Sequence, residues 1–289
     1  MAPSMATAGV PGPACPGGYS STMRIARYVA DGGDPSYGIV ELAADGGAHP
    51  DSVTAISGDP LAGPVNYTGE RHALADVRLV APVIPRSKVV AIGKNYAAHA
   101  AEFNSTVPDE PLTFFKPNTS VIGPGEPIVY PPETENLHFE GELAIVIGRI
   151  CRRVPRDRAA EVIFGYTIAN DVTCRDLQTR DKQWSRAKGY DSFCPLGPWI
   201  VTHLSLDEVA DLGINTELNG AVRQDSRTSL MVRGIPELIE FVTSYTTLLP
   251  GDVILTGTPE GVGPMQPGDS VSITVEGIGT LTNPVVAEN

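Results

Sequence analysis

The sequence predicts an α+β chain that is predominantly β. Short β-branched runs such as Val89 to Ile92, Leu143 to Ile147 and Val253 to Leu255 recur along it. They are punctuated by 30 glycines and 26 prolines, the turn residues of a strand-rich chain. Few segments carry a helical period, and aromatic residues make up only 6%. At 289 residues the chain is long for one small domain and short for two full ones, which predicts one large domain with an appendage.

Residues 1–22, rich in Pro, Gly, Ser and Ala, lack the charged and apolar regions of a signal peptide. They are expected to be a disordered extension, with Met23 as an alternative start. Residues 23–82 read as a small N-terminal β-rich subdomain. It holds strands at Met23 to Val29 and Gly38 to Leu42, and His49 and His72 on its surface. Pro82 to Pro85 reads as a linker, because proline restricts its own backbone and that of its neighbour. Residues 83–289 then form the main domain. Lys88 to Gly93 is a strand, and Asn95 to Glu102 a short helix on which His99 and Glu102, three apart, share a face. Phe103 to Glu110 is polar and is expected to be a mobile connection.

Leu143 to Ile147 is an unbroken apolar run closed by Gly148, the pattern of a strand buried on both faces. It is preceded by Glu140 and Glu142, which project from one face about 7 Å apart along the strand. Two like charges entering a buried strand are unfavourable unless one is protonated or a cation lies between them. Arg156 to Phe164 has helical periodicity, and Gly165 to Asn170 is a strand ending at Asp171, either a third carboxylate ligand or an N-cap. Arg175 and Gln178 share a helical face, and Lys188 adds a cation. Lys116 follows two phenylalanines and is a candidate for contacting substrate or backbone. Asn219-Gly220 signals a hairpin, and Pro236 to Thr243 a helix started by proline. The glycine-rich exit after Leu255 lets backbone N–H groups approach an oxyanion or carboxylate. Gly268-Asp269 and Ile278-Gly279 mark the last hairpin.

The formal net charge of −13 argues against a nucleic-acid surface, which needs clustered Lys and Arg, and against anionic membranes. No apolar stretch approaches a membrane span. Four cysteines without close spacing read as free thiols of a reducing compartment, hence a cytoplasmic protein. Carboxylate oxygens are hard donors suited to Mg²⁺ or Mn²⁺, with Ca²⁺ a third option.

These segments together resemble the fumarylacetoacetate hydrolase family from about Val83 to Val286. The matching pieces come in family order: Gly93-x-Asn95-Tyr96-x-x-His99-x-x-Glu102, Phe115-Lys116-Pro117, Glu140-Gly141-Glu142-Leu143, Asn170-Asp171-Val172-Thr173-x-Arg175-Asp176, Lys188-Gly189-x-Asp191, Pro250-Gly251-Asp252 and Gly257-Thr258-Pro259-x-Gly261-Val262-Gly263. Phe139 and Cys174 depart mildly from the family pattern. The resemblance implies a mixed β-sandwich roll, commonly a homodimer, with Glu140, Glu142 and Asp171 as ligands of Mg²⁺ or Mn²⁺. It implies that Lys188 stabilises an enolate, that His99 and Glu102 form a lid dyad activating water, and that Arg175, Gln178 and Thr258 position a small oxo-acid substrate. The expected reaction is hydrolysis of a carbon–carbon bond in an acylpyruvate or related 1,3-dioxo acid. Isomerisation or decarboxylation of an oxo-diacid is the alternative within the family, and a non-catalytic oxo-acid-binding protein the alternative outside it.

Overall fold

The computed structural model describes residues 23–43 and 50–288. The expectations for the first 22 residues, Cys15 and His49 lie outside them. Among the described residues one mixed sheet has twelve strands, ten of which hydrogen-bond in the order Asn66–Ala73, Ser52–Ser57, Ser36–Glu41, Arg24–Val29, Cys194–Val201, Ile163–Asn170, Gly141–Ile147, Val253–Leu255, Val89–Gly93 and Leu112–Lys116. All neighbours on this path are antiparallel except Val253–Leu255 beside Val89–Gly93, which are parallel. A second sheet runs Ala221–Arg227, Gly213–Leu218, Ser270–Val275, Gly279–Ala287 and Ile128–Tyr130. The N-terminal strands are not a separate layer. Arg24 and Ile25 pair with Val201 and Ile200, so they extend the large sheet.

Gly141–Ile147 is completely buried, and its alternate residues enter different cores. Leu143, Ile145 and Ile147 pack towards Ile214, Val271, Ile273 and Leu281 of the second sheet. Ala144 and Val146 join Ala169, Ile200 and Leu255 on the opposite face. This two-sided burial is what the uninterrupted apolar run requires. Val83 is 1% exposed, so the proline-rich connection before the main domain is packed into that second core.

Most local expectations hold, with small shifts in boundary. The proline-started helix is Ile235–Tyr245. Asn219 and Gly220 both have positive φ, as a two-residue hairpin turn demands. One expectation fails. Arg156–Val162 is a 3₁₀ helix, and Ile163 and Phe164 already belong to the strand Ile163–Asn170. The β-branched Ile163 pairs with Ile147, and tertiary pairing overrides the local helical period. His72 lies half-buried against Tyr28, ring centroids 5.7 Å apart, rather than on open surface.

Candidate metal and substrate site

Three carboxylates separated in sequence converge where the large sheet's strands open. Glu140, Glu142 and Asp171 each offer an oxygen, and the three atoms lie within 4.8 Å of one another. All three residues are buried. Local backbone enforces the arrangement. The Asn170 side-chain carbonyl accepts from the Glu140 N–H (2.9 Å), and the Asp171 N–H donates to Glu140 O (2.9 Å). Between the glutamates, a Cβ on Gly141 would meet Thr216 Oγ1 at 2.3 Å. Only glycine fits that close approach of the two sheets. The helix Arg175–Asp181 has Cys174 at its cap position, so Asp171 does not serve as the cap.

Three cations answer the three carboxylates. Lys188 Nζ donates to Glu140 Oε2 (2.9 Å), Asp171 Oδ2 (2.6 Å) and Thr173 Oγ1 (2.7 Å). It also sits over the Phe114 ring at 5.0 Å and the Trp184 ring at 5.9 Å, a cation–π wall. Arg175 forms an ion pair with Glu140 Oε1, and its Nη1 donates to Gln178 Oε1 (3.1 Å). Lys116 Nζ donates to Asp171 Oδ1 (2.5 Å). Lys116 is 1% exposed and is not among the residues lining the cavity. Its strand side chain reaches the acidic cluster from behind.

The surroundings of the two glutamates push their carboxyl pKa values in opposite directions. Burial opposes ionisation of Glu140, but Arg175, Lys188 and His99 outweigh it and keep the carboxyl far below its usual range. Burial also dominates at Glu142, where Asp171 and Glu140 add repulsion and raise the carboxyl well above its usual range. The contacts explain the split: cations touch Glu140, whereas Glu142 Oε2 accepts from the Gly257 N–H at 2.6 Å. Gly257 lies in the glycine-rich exit after Val253–Leu255, so the carboxylate this exit approaches is the protein's own. A buried, oxygen-only triad carrying a like-charge conflict fits a hard divalent ion, which would relieve the repulsion among the three carboxylates.

A cavity of about 310 Å³ opens onto the cluster. His99, Arg175, Gln178, Lys188 and Thr258 line it together with the three carboxylates. The Thr258 hydroxyl is already engaged, donating to Gly141 O (2.9 Å) and accepting from Gln224 Nε2 (2.8 Å). Gln224 also accepts from the Gly141 N–H (3.0 Å) and is 1% exposed. A polar residue within a mostly exposed hairpin strand gives no sequence signal for this bracing role. His138 is half-buried outside the cavity lining, with Nε2 2.8 Å from Asn136 Oδ1, and burial pulls its imidazole down to about 4.

Ala97–Glu102 carries the remaining pair. His99 Nδ1 lies 3.2 Å from Glu102 Oε2, and Glu102 Oε1 accepts from the Gly261 N–H at 2.7 Å. Glu102 thus orients the imidazole and fastens the short helix to the loop after Val253–Leu255. Phe103 packs edge-on against His99 at 5.3 Å and lies under Arg175 at 4.9 Å. The far end of the following connection is also anchored: Arg233 Nη2 donates to Pro108 O (2.7 Å) and Asp109 O (2.6 Å).

Burial is the largest influence on His99 and lowers its pKa; Glu140 and Glu102 pull the other way, and Arg175 adds to the lowering. The imidazole is therefore neutral at pH 7, and Glu102 on Nδ1 leaves Nε2 as the basic nitrogen. A base with a lowered pKa stays unprotonated to lower pH. The acid limb of kcat/KM is accordingly expected below pH 6.5, the ordinary imidazole value, with activity lost as pH falls through it. Glu102→Gln removes a group that raises the pKa, so it is expected to move that limb further down as well as to slow turnover. A limb above pH 6.5 would count against His99 as the base.

A buried carboxylate triad that could hold a divalent cation shares one cavity with Arg175, Lys188 and the His99 imidazole, on a mostly β scaffold. Residues 88–286 match the family model "Fumarylacetoacetate (FAA) hydrolase C-terminal", and residues 23–82 match "Rv2993c-like, N-terminal". The chain belongs to the fumarylacetoacetate hydrolase family. The crystal structure of a 5-carboxymethyl-2-hydroxymuconate delta-isomerase from Mycobacterium smegmatis is 54% identical with a TM-score of 0.83, over 92% of this chain and 100% of that one. An oxaloacetate tautomerase of Bacillus subtilis, YisK, is 42% identical over 225 residues, 74% of this chain and 75% of that protein. A maleylpyruvate hydrolase from Sphingobium sp. SYK-6, crystallised with manganese(II) and pyruvate, is 32% identical with a TM-score of 0.74, over 92% and 100%. Isomerase, tautomerase and hydrolase thus share one scaffold. Cys151, Cys174 and Cys194 are free and buried. Among the described residues no helix is long and apolar enough to cross a membrane.

Proposed function

We propose that the chain is a divalent-metal-dependent enzyme that moves a proton at the carbon beside the keto group of a small 2-oxo acid, interconverting keto and enol forms. One observation carries this: the three buried carboxylates are balanced by Lys116, Arg175 and Lys188. With all six ionised the cluster is neutral, and a divalent ion leaves two positive charges in excess. That excess matches a ligand bearing one carboxylate and one developing oxyanion. Mg²⁺ or Mn²⁺ held by Glu140, Glu142 and Asp171 would supply Lewis acidity to the keto oxygen.

The chain's own residues do the rest. His99 Nε2 takes the proton from the carbon, and Glu102 holds the imidazole in the tautomer that can accept it. Lys188 and Arg175 meet charge that develops on the substrate oxygens. The isomerase and tautomerase among the relatives support proton transfer. Carbon–carbon bond hydrolysis of an acylpyruvate is the second reading, favoured by the His99–Glu102 pair, because the same Nε2 can take a proton from water.

The test is turnover of oxaloacetate and of an acylpyruvate with Mg²⁺ present and then removed by chelation, with product mass as the readout. A change in enol absorbance at unchanged mass marks proton transfer, a gain of water hydrolysis, and a loss of carbon dioxide decarboxylation. His99→Ala is expected to lower metal-dependent turnover by about 10²–10⁴-fold, the usual contribution of a general base. Turnover that survives metal removal, or is indifferent to His99, sinks the proposal.

A further inference from the structure

Among the described residues, the cavity holds one cation that the carboxylate cluster does not use. Lys94 lines it, following the strand Val89–Gly93, with a backbone φ of 58°. A lysine in the left-handed region is uncommon. Arg175 and Lys188 each pair with a carboxylate of the triad. Lys94, in contrast, has no carboxylate partner among the described residues, in a chain with 34 Asp and Glu against 21 Lys and Arg. Its Nζ instead donates to Ser105 Oγ at 2.5 Å. Ser105 also lines the cavity, and its N–H donates to Ala100 O at 3.0 Å. The pair therefore joins the strand end to the helix that carries His99.

We infer that Lys94 and Ser105 form a second anion subsite that receives the distal carboxylate of the substrate. The inference rests on the proposed 2-oxo acid chemistry. With the metal-centred end matched to one carboxylate and one oxyanion, a further positive charge on the same wall calls for a further negative one. Lys94 has ammonium hydrogens left after the bond to Ser105, and the serine hydroxyl can turn to donate. A carboxylate bound there would be fixed to the base-bearing helix, so the distal end of the ligand would also help to seat His99.

Calorimetry in excess Mg²⁺ separates this subsite from the chemistry. N-Oxalylglycine and oxamate carry the same chelating end and do not enolise, but only the former has a distal carboxylate. The native protein is expected to bind N-oxalylglycine at least about tenfold more tightly, the size of one charge-assisted hydrogen bond. Lys94→Asn removes the charge while suiting the positive φ. It is expected to abolish the preference and leave oxamate affinity unchanged, and Lys94→Arg to restore the preference in part. Equal binding of both analogues by the native protein, or equal weakening of both by Lys94→Asn, overturns the subsite. If the preference holds but no substrate is enolised, the proposed reaction fails and the subsite stands.

Discussion

Replacing Lys188 by methionine is expected to destabilise the metal-free protein by about 3 kcal/mol or more, the cost of breaking a buried ion pair by removing one partner. Lys188 Nζ is the group shared by Glu140 and Asp171, and it also bonds Thr173. Methionine keeps much of the stem packing beside Phe114 and Trp184 but leaves two buried carboxylates short of a cation. Arg175 still meets Glu140 and Lys116 still meets Asp171, which places the effect at the lower end of the range. Urea unfolding with chelator present measures the loss. Added Mg²⁺ is expected to return part of it, because the ion brings back the missing positive charge and binds only the folded chain. A variant within about 0.5 kcal/mol of the native protein, the ordinary scatter of surface substitutions, would show that Lys188 does not balance the cluster.

Glu142→Gln is expected to do the opposite to stability and to end metal binding. Burial and two neighbouring carboxylates raise the Glu142 carboxyl, so the folded chain binds a proton more tightly there than the unfolded chain does. Stability from this group is fully present below the ordinary value of 4.5 and is lost as pH rises through the raised folded value. Glutamine keeps an oxygen for the Gly257 N–H and carries no charge. The metal-free variant is therefore expected to be more stable than the native protein by about 0.5–2 kcal/mol at neutral pH, a common gain when a strained functional group is relieved. The difference is expected to shrink as pH falls towards 4.5. Mg²⁺ affinity, read by calorimetry, is expected to fall by about 100-fold or more, since even a supporting ligand partner contributes about 10–100-fold. Native-like metal binding by the variant would remove Glu142 from the ligand set.

The two substitutions act on neighbouring groups and are expected to shift stability in opposite directions, because Lys188 offsets the charge of Glu140 and Asp171 whereas no cation pairs with Glu142 among the described residues.

Much of this was legible in the chain itself, where the physics is local. The apolar run Leu143 to Ile147 dictated a strand buried on both faces, and its period of two put Glu140 and Glu142 on one side. The three-residue spacings of His99 with Glu102 and of Arg175 with Gln178 set two helical contacts, observed at 3.2 Å and 3.1 Å. Asn219-Gly220 set a turn. The helical period of Arg156 to Phe164 misled, because strand pairing of Ile163 with Ile147 comes from a distant partner. Tertiary structure alone decided that the N-terminal strands extend the main sheet through Arg24–Val29 and Cys194–Val201. It also turned Lys116 onto Asp171, made Gln224 a brace for Gly141 and Thr258, and left Lys94 without an acidic partner among the described residues. Which glutamate's pKa is lowered and which is raised belongs to the same class. A charge feels every ion within a few ångströms whatever its place in the chain, so only the fold, by bringing Arg175 and Lys188 to Glu140 and an amide to Glu142, settles it.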